Sequence, residues 1–160
     1  MPARPVTPYS ADLGDRDPIE AIRDVGLRMH ALTERWTDGQ FERSYARGKW
    51  TARQILIHLA QCEIMFGTRV RLALVTPDYV AQDMDQDKWI ACDRDISGRD
   101  ALDAFVAVAR MNAALFASLS PAARATSLTH PDYGPLTVDW IVHQTAGHQI
   151  HHLKQLESLG

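Results

Sequence analysis

The 160-residue sequence has few cysteines and little net charge, and each shortage excludes a class of protein. Its two cysteines, Cys62 and Cys92, are too few for a disulfide framework and suit a reducing compartment. The net charge of −3 and the isoelectric point near 6.1 argue against nucleic acid or an anionic membrane as the main partner. The chain is therefore expected to act on something other than a polyanion.

The sequence also predicts neither a targeting signal nor a membrane-spanning segment. The N-terminal sequence Met-Pro-Ala-Arg-Pro-Val-Thr-Pro contains no apolar run, so no signal peptide is expected. No stretch approaches the roughly 18 consecutive apolar residues of a membrane span. We therefore expect a cytoplasmic protein with no membrane partner.

What the sequence does contain is the composition of a globular domain. Hydrophobic residues make up 46% and charged residues 23% of the chain, which are values typical of folded proteins. A length of 160 residues suits one domain with a real core. Prolines are frequent near the N-terminus, so a flexible lead-in over residues 1–16 is expected before a single domain over 17–160.

Four segments combine apolar residues at helical spacing with start signals. Asp17 precedes a proline at the first helical position, Thr51 is followed three residues later by Gln54, and Thr137 precedes the last apolar stripe. The predicted helices lie near 18–35, 51–74, 98–118 and 137–158. Since no segment has a convincing strand pattern, the expected fold is an all-α four-helix bundle with one long connection between the second and third helices.

That long connection, residues 76–96, is polar and rich in aspartate, so it is a candidate rim for an active site. Its Asp83-Met-Asp85-Gln-Asp87 segment begins like a calcium-binding loop. However, Lys88 stands where an EF-hand requires glycine, and Arg94 where it requires glutamate. The acidic run is interpreted as a solvated loop.

The most informative stretch is the last predicted helix, in which His148 and His152 are four residues apart. At about 3.6 residues per turn, this spacing stacks the two imidazoles on one face, within reach of a single ion. A helical wheel places Ile141 and Leu156 on that same face, which should point into the core. An unpaired polar group is costly there, so the pair is a candidate metal site.

His58 in the second predicted helix can complete a site of three imidazoles inside the bundle. Three protein ligands with an open position are typical of catalytic rather than structural zinc sites. Cys62 follows His58 by four residues and shares its face, so it is either a fourth, softer ligand or a small buried hydrophobe. The remaining histidines are not expected to bind the ion: His30, His130, His143 and His151.

Several catalytic motifs are missing from the sequence. The residue after His148 is Gln149, so the pair is not the H-E-x-x-H motif of metalloproteases, and no glutamate within it can act as a base. The nucleophile elbow G-x-S-x-G, the P-loop and the G-x-G-x-x-G fingerprint do not occur. Serine hydrolases and nucleotide enzymes therefore have no motif support.

Two segments resemble the DinB-like superfamily. Trp50-Thr-Ala-Arg-Gln-Ile-Leu-Ile-His58-Leu-Ala is similar to the second helix of that family, and the segment from Leu136 to Leu156 is similar to its last helix. The order of elements matches over about residues 17–158. The resemblance implies a four-helix bundle, often dimeric, that binds a divalent ion through His58, His148 and His152. Zinc is the first expectation for the ion, with nickel, iron or manganese as alternatives.

Relatives in this superfamily include zinc-dependent thiol S-transferases that use bacillithiol, a mycothiol-dependent maleylpyruvate isomerase and the domain that contributes the iron site of sulfoxide synthases. The resemblance therefore implies an enzyme that activates a low-molecular-weight thiol on the ion and transfers it to a small electrophile. The alternatives are a metal-dependent hydrolase and a non-catalytic metal-binding bundle. The expected partners are a small-molecule substrate and a second copy of the chain in a homodimer, without nucleic acid.

Overall fold

The computed structural model describes residues 4–159, which form helices and one two-stranded hairpin. In chain order the elements are α1 (Ser10–Leu13), α2 (Pro18–Thr33), α3 (Asp38–Phe41), α4 (Ala52–Val75), α5 (Gln86–Cys92), α6 (Gly98–Ser118), α7 (Pro121–Arg124), β1 (Ser127–His130), β2 (Gly134–Thr137) and α8 (Val138–Glu157). The four long helices α2, α4, α6 and α8 make a bundle and match the four predicted segments. The predicted bundle is confirmed.

The long helices begin where polar side chains can accept hydrogen bonds from the first turn. Asp17, Ser97 and Thr137 each accept such bonds at the starts of α2, α6 and α8. Thr51 and Gln54 form a reciprocal capping box at the start of α4. These bonds satisfy backbone N–H groups that have no partner within the helix, so they fix the boundaries that the sequence predicts.

The neighbour relations run around the bundle in the order α2, α6, α4, α8, with α8 returning to α2. The consecutive long helices α2 and α4 are therefore diagonal to each other, and α4 lies beside α8. The largest fully buried side chains fill the space between the helices: Ile22, Met29, Ile55, Leu56, Ile57, Leu59, Leu102, Phe105, Phe116, Ile141, Leu153 and Leu156. This arrangement places the face of α4 that contains His58 against the face of α8 that contains His148 and His152.

The hairpin of β1 and β2 corrects the expectation of a structure without a sheet. The two strands pair antiparallel, with Leu128 opposite Leu136, across the turn at residues 130–134. Strands of four residues are too short to show a clear two-residue alternation, and Pro135 weakens the strand pattern further. Burial of Leu128 and pairing across the turn stabilise the hairpin instead.

The long connection between α4 and α6 is partly structured rather than a solvated loop throughout. The backbone N–H groups of Ala81 and Thr129 donate to the carbonyls of Thr129 and Tyr79, which joins the start of the connection to β1. Further along, Asp85 caps α5 by accepting from the backbone N–H of Lys88. The acidic run thus contains a helix start, which fixes residues 79–86 over one end of the bundle.

The N-terminal segment also differs from the expected flexible lead-in over residues 1–16. Residues 1–3 lie outside the described part of the chain, but α1 packs against α8. Leu13 is buried, and the indole Nε1–H of Trp140 donates to the carbonyl of Val6 at 2.9 Å. These contacts join residues more than a hundred positions apart, so local proline content could not reveal them.

Helix α6 is long and apolar enough, by length and composition alone, to cross a membrane, with a mean hydropathy of 1.3 over 18 residues. This differs from the expectation that no stretch approaches such a span. In the bundle, α6 packs against α4 and α2, and its buried face includes Leu102, Phe105 and Phe116. The hydropathy of α6 therefore has an explanation in the core of the bundle.

The close contact between α1 and α8 generates a prediction about two glycines. A Cβ atom at Gly147 would lie 2.6 Å from the backbone oxygen of Tyr9, whereas one at Gly26 would meet only the Val106 side chain at 3.6 Å. We expect Gly147→Ala to lower the free energy of unfolding by about 1–3 kcal/mol through overpacking. The control Gly26→Ala should raise it by about 0.5–1 kcal/mol, because alanine favours the helix. Urea denaturation measures the free energy of unfolding of both variants. Equal changes in the two variants would contradict the close packing of α1 against α8.

Candidate metal centre

Three histidines from two neighbouring helices converge in the bundle. The Nε2 atom of His148 lies 3.0 Å from Nε2 of His58 and 3.1 Å from Nε2 of His152. All three side chains are buried, and one nitrogen from each lies within 4.8 Å of the others. The structure therefore brings together the three residues that the sequence predicts as ligands.

Burial keeps these imidazoles neutral at pH 7. It lowers the pKa of His58 to about 3, with a smaller contribution from the charge of His152. It also lowers the pKa of His152 to about 4 and the pKa of His148 well below its ordinary value. A neutral imidazole has one nitrogen with a free lone pair, which is the form that binds a metal ion.

The second ring nitrogens indicate which atoms face the centre. Nδ1 of His152 lies 2.7 Å from the amide Oε1 of Gln155, which only accepts hydrogen bonds, so Nδ1 carries the proton and Nε2 has the lone pair. Nδ1 of His148 is buried and has no hydrogen-bond partner among the described residues. Lone pairs that face one another at about 3 Å repel unless a cation or a proton lies between them, so this donor set fits a divalent metal ion.

Cys62 lies beside the centre, with its Sγ atom 3.5 Å from Nε2 of His58. Burial raises the pKa of the Cys62 thiol, so it remains protonated at neutral pH when no metal is near. Metal ligation requires the thiolate. In this state Cys62 is a small buried side chain next to the histidines, and a ligand role would need a metal to remove its proton.

Aromatic rings enclose the histidines on several sides. Trp50 packs on His58 with ring centroids 4.8 Å apart, Tyr9 contacts His148 at 5.2 Å, and Phe66 contacts His148 at 5.9 Å. Such packing limits the rotation of the imidazoles and excludes water from their sides. The contacts of Tyr9 and Trp50 depend on tertiary structure, and sequence analysis missed both.

A cavity of about 240 Å³ opens from the centre and reaches His58 and His148. Cys62 and Phe66 line it near the histidines, and Asp83 of the long connection lines it as well. The long connection thus contributes to the cavity wall, as the sequence suggests. A small molecule in the cavity would reach the two histidines from one side.

A buried carboxylate next to the centre links three helices. Glu63 of α4 accepts a hydrogen bond from Nδ2 of Asn112 at 2.9 Å and one from Nε2 of Gln149 at 2.6 Å. Burial raises the pKa of Glu63 to about 7, although both hydrogen bonds act in the opposite direction. Because Gln149 follows His148, this carboxylate holds the histidine-bearing turn of α8 against α4. Sequence analysis did not identify Glu63 as part of the site.

The other histidines lie apart from the three that converge. His30 is exposed near Asp103, His151 contacts Asp12, and Nδ1 of His143 lies 2.9 Å from the carbonyl of Asp139. His130 lies in β1 at the far end of the cavity, near Asp83 and Asp132. None of the four belongs to the cluster of His58, His148 and His152.

The buried Glu63 generates a prediction about pH. Between pH 4.5 and pH 7 the folded protein keeps a proton that the unfolded chain has released, so this carboxyl lowers the free energy of unfolding as the pH rises through that window. The Glu63→Gln variant lacks this contribution. The free energy of unfolding of the variant minus that of the original protein should therefore increase by about 3 kcal/mol between pH 4.5 and pH 7.

Urea denaturation of the two metal-free proteins at several pH values measures this difference. The three histidines have lowered pKa values, so their contribution to stability is lost as the pH falls below 6.5. That contribution has the opposite sign but is common to both proteins, so it cancels in the difference. A difference that does not change with pH would contradict a buried, titrating Glu63.

Comparisons with known proteins agree with this fold. Residues 21–156 match the sequence profile of the DinB superfamily. A protein of Oceanobacillus iheyensis, named as a candidate metal-dependent hydrolase, is 28% identical over 142 residues, which cover 88% of this chain and 83% of the relative. A protein of Halalkalibacterium halodurans with a name of the same kind is 21% identical over 140 residues, with coverages of 87% and 82%.

Two solved structures share the fold. YfiT from Bacillus subtilis, described as a candidate metal-dependent hydrolase with an unusual four-helix bundle topology, matches with a TM-score of 0.82 and 21% identity over 99% of this chain and 90% of that one. A mycothiol-dependent maleylpyruvate isomerase matches with a TM-score of 0.72 and 13% identity over 94% of this chain and 63% of that one. Because the matching profile extends from α2 to the end of α8, the chain belongs to the DinB superfamily.

Proposed function

We propose that this protein is an enzyme that binds a divalent ion through His58, His148 and His152 and activates a thiol for transfer to a small electrophile. The observation that carries the proposal is the convergence of three neutral imidazoles at one end of a cavity. Three protein ligands leave a coordination position for another molecule. The cavity supplies the route by which that molecule would arrive.

A divalent ion bound there would supply Lewis acidity, which lowers the pKa of a thiol enough to ionise it near neutral pH. The residues of the chain hold and shield the reactants. Gln155 orients His152, and Trp50 packs over His58, so the imidazoles keep one arrangement. Cys62 and Phe66 make the neighbouring wall apolar, which suits a sulfur atom.

The transfer reaction balances without an oxidant or a reductant. The thiol loses its proton to solvent at the cavity mouth, and its sulfur uses an electron pair to form a bond to carbon of the electrophile. The bond from that carbon to the leaving group breaks, and the leaving group departs with the bonding electrons. The products are a thioether and the released group.

A metal-dependent hydrolase is the second candidate, supported by the names of the relatives. Hydrolysis on an ion normally requires a general base beside the attacking water. Among the described residues that line the cavity, the carboxylates are Asp83 and Asp132, which lie near His130 rather than near the three histidines. This placement favours a thiol over water as the nucleophile, because a bound ion would ionise a thiol without the help of a general base.

The ion and the assembly are further parts of the proposal. Three imidazoles suit zinc, and nickel, iron or manganese are the alternatives. A cytoplasmic homodimer is proposed as well. Exposed apolar side chains on the neighbouring helices α4 and α6, such as Ile64, Leu72 and Met111, would contribute to such an interface.

The first test of the proposal concerns which histidines bind the ion. Changing His148 to alanine should remove most of the bound metal, because its Nε2 atom lies between the other two. The matched control is His143→Ala in the same helix, which should keep the metal content unchanged. Elemental analysis of proteins purified without added metal measures both. Equal losses from the two variants would show that the converging cluster is not the metal site.

The second test concerns what the ion does. Adding 2-mercaptoethanol to the cobalt-substituted protein should produce a sulfur-to-metal charge-transfer band, and the apparent affinity should rise with pH because binding releases the thiol proton. The His152→Ala variant should lose the band together with the metal. The Cys62→Ser variant should keep the cobalt spectrum almost unchanged if the open position belongs to the added thiol.

Other outcomes of this experiment favour the alternatives. A spectrum that does not respond to thiol, and that shifts strongly in Cys62→Ser, would indicate a closed site and a non-catalytic bundle. Turnover of an ester or amide by the zinc-loaded protein, without any response to thiol, would favour the hydrolase.

A further inference from the structure

The far end of the cavity contains a buried positive charge that has no ion-pair partner within the described part of the chain. Arg69 of α4 is only 7% exposed and lines the cavity that reaches His58 and His148. Its guanidinium donates to the carbonyl of Gln82, and within residues 4–159 it forms no ion pair. Buried charges in proteins are normally paired, so a guanidinium in this state is suited to an anionic group of a ligand.

Two carboxylates lie near this guanidinium without contacting it. Asp83 and Asp132 are exposed and line the same cavity. Burial lowers the pKa of Arg69, and the two carboxylates, after Tyr79 and Cys62, act in the opposite direction. Together with Arg69 they give this end of the cavity charges of both signs. A ligand group that carries only an anion would be repelled by the two carboxylates, whereas a group that carries both signs would match them.

The same carboxylates and His130 could be read as a second metal site, since their ligand atoms lie within 4.8 Å of one another. The contacts of His130 argue against it. Its Nδ1 atom accepts a hydrogen bond from the backbone N–H of Asp132 at 3.1 Å, so the neutral ring carries its proton on Nε2 and has no free lone pair. Burial, and after it the positive charge of Arg69, lowers the pKa of His130, and the same charge would repel a divalent ion.

A further polar group, on α8, lies along the cavity between its two ends. Gln144 of α8 is one turn before His148 and lines the cavity, yet it is only 7% exposed. Its amide oxygen is buried and has no partner among the described residues. An unpartnered buried acceptor is costly, and a ligand N–H group beside it would remove that cost.

We propose that the end of the cavity at Arg69 binds a zwitterionic α-amino-acid head group, with Arg69 holding the carboxylate and Asp83 and Asp132 holding the ammonium. This head group belongs to the thiol that the ion activates, so the identity of the ligand as a thiol rests on the proposed function. The head-group site itself depends only on residues outside the cluster of His58, His148 and His152.

The spacing of the two ends sets the length of the ligand. His58 and Arg69 are eleven residues apart in α4, so their backbone positions are separated by about 16 Å along the helix axis, and their two side chains cover part of that separation. Free cysteine carries its sulfur and its zwitterion on adjacent carbons, so it spans less of the remaining gap than a thiol whose head group follows a linker. We therefore expect an extended ligand, with the thiol and the head group separated by a linker, and an amide N–H in that linker would meet Gln144.

Thiols that differ in the head group test this inference in the cobalt-substituted protein. Glutathione has an extended γ-glutamyl zwitterion, N-acetylcysteinylglycine has the same thiol without it, and free cysteine has no linker between its thiol and its head group. The charge-transfer band should appear at a glutathione concentration at least tenfold lower than for the other two. In the Arg69→Met variant this advantage should disappear, while the cobalt content and the affinity for N-acetylcysteinylglycine should not change.

Control variants separate recognition from loss of structure. Arg110→Met removes an exposed arginine of α6 that does not line the cavity, and it should keep the preference for glutathione. Asp83→Asn alters an exposed side chain with little risk to folding and should reduce the preference several-fold. If Arg69→Met fails to fold, Arg69→Lys and Asp83→Asn serve as substitute variants that still alter the proposed head-group site. An unchanged preference in the folded Arg69 and Asp83 variants overturns the proposal.

A thiol-free ligand distinguishes failure here from failure of the proposed function. Ophthalmic acid, the glutathione analogue in which a methyl group replaces the thiol, should bind the metal-free protein in isothermal titration calorimetry, and Arg69→Met should abolish that binding. Binding of ophthalmic acid without any thiol-dependent cobalt band would support the head-group site and reject thiol activation. Equal bands for all three thiols, with no binding of ophthalmic acid, would reject the head-group site alone. A second equivalent of metal that is lost in His130→Ala would assign the far end to a cation and overturn the proposal.

Discussion

The contact between α4 and α8 brings a row of polar side chains into the core of the bundle, and the site depends on how their hydrogen-bonding groups are satisfied. Glu63 receives two amide N–H donors, from Asn112 and Gln149. Among the described residues, the nitrogens of His58, His148 and His152 that face one another receive no amide N–H donor. Because desolvated lone pairs are costly, the interface that is balanced around Glu63 brings unshared lone pairs together at the histidines, where a cation would be stabilised.

This contact exists because of the topology. The long helices follow one another around the bundle as α2, α6, α4 and α8, so consecutive helices are not always neighbours. The diagonal placement of α2 and α4 leaves α8 beside α4, and it requires connections that cross the end of the bundle. The connection after α4 and the hairpin before α8 lie together there, joined by hydrogen bonds between Ala81, Thr129 and Tyr79. The cavity is thus closed at one end by helix side chains and walled at the other by these connections.

The sequence predicts those parts of the molecule that have a local cause. Caps and helical spacing determine the long helices, and the four-residue separation of His148 and His152 puts them on one face. The hairpin, the packed N-terminal segment and the burial of Glu63 have distant causes. For example, a wheel of α4 gives the direction of Glu63 relative to His58, but only the position of α6 and its Asn112 decides that this direction is buried. The position of Arg69 in the cavity wall could not be predicted either, because nothing in the sequence of its own helix indicates a cavity.

The two ends of the cavity are built from different kinds of structure, and this difference separates activation from recognition. The histidines lie on two packed helices whose register is held by Glu63 and Gln149, so their geometry can change little without unfolding the core. The far end combines the last turns of α4 with the connection and the hairpin, which contribute Arg69, Asp83 and Asp132. Connections tolerate substitution better than packed helices do. A bundle of this kind can therefore keep its three-histidine end while its far end changes to suit another substrate. For the same reason, membership of the superfamily indicates the fold more directly than the reaction, and in the proposed head-group site the charges at Arg69, Asp83 and Asp132 would determine which ligand this chain prefers.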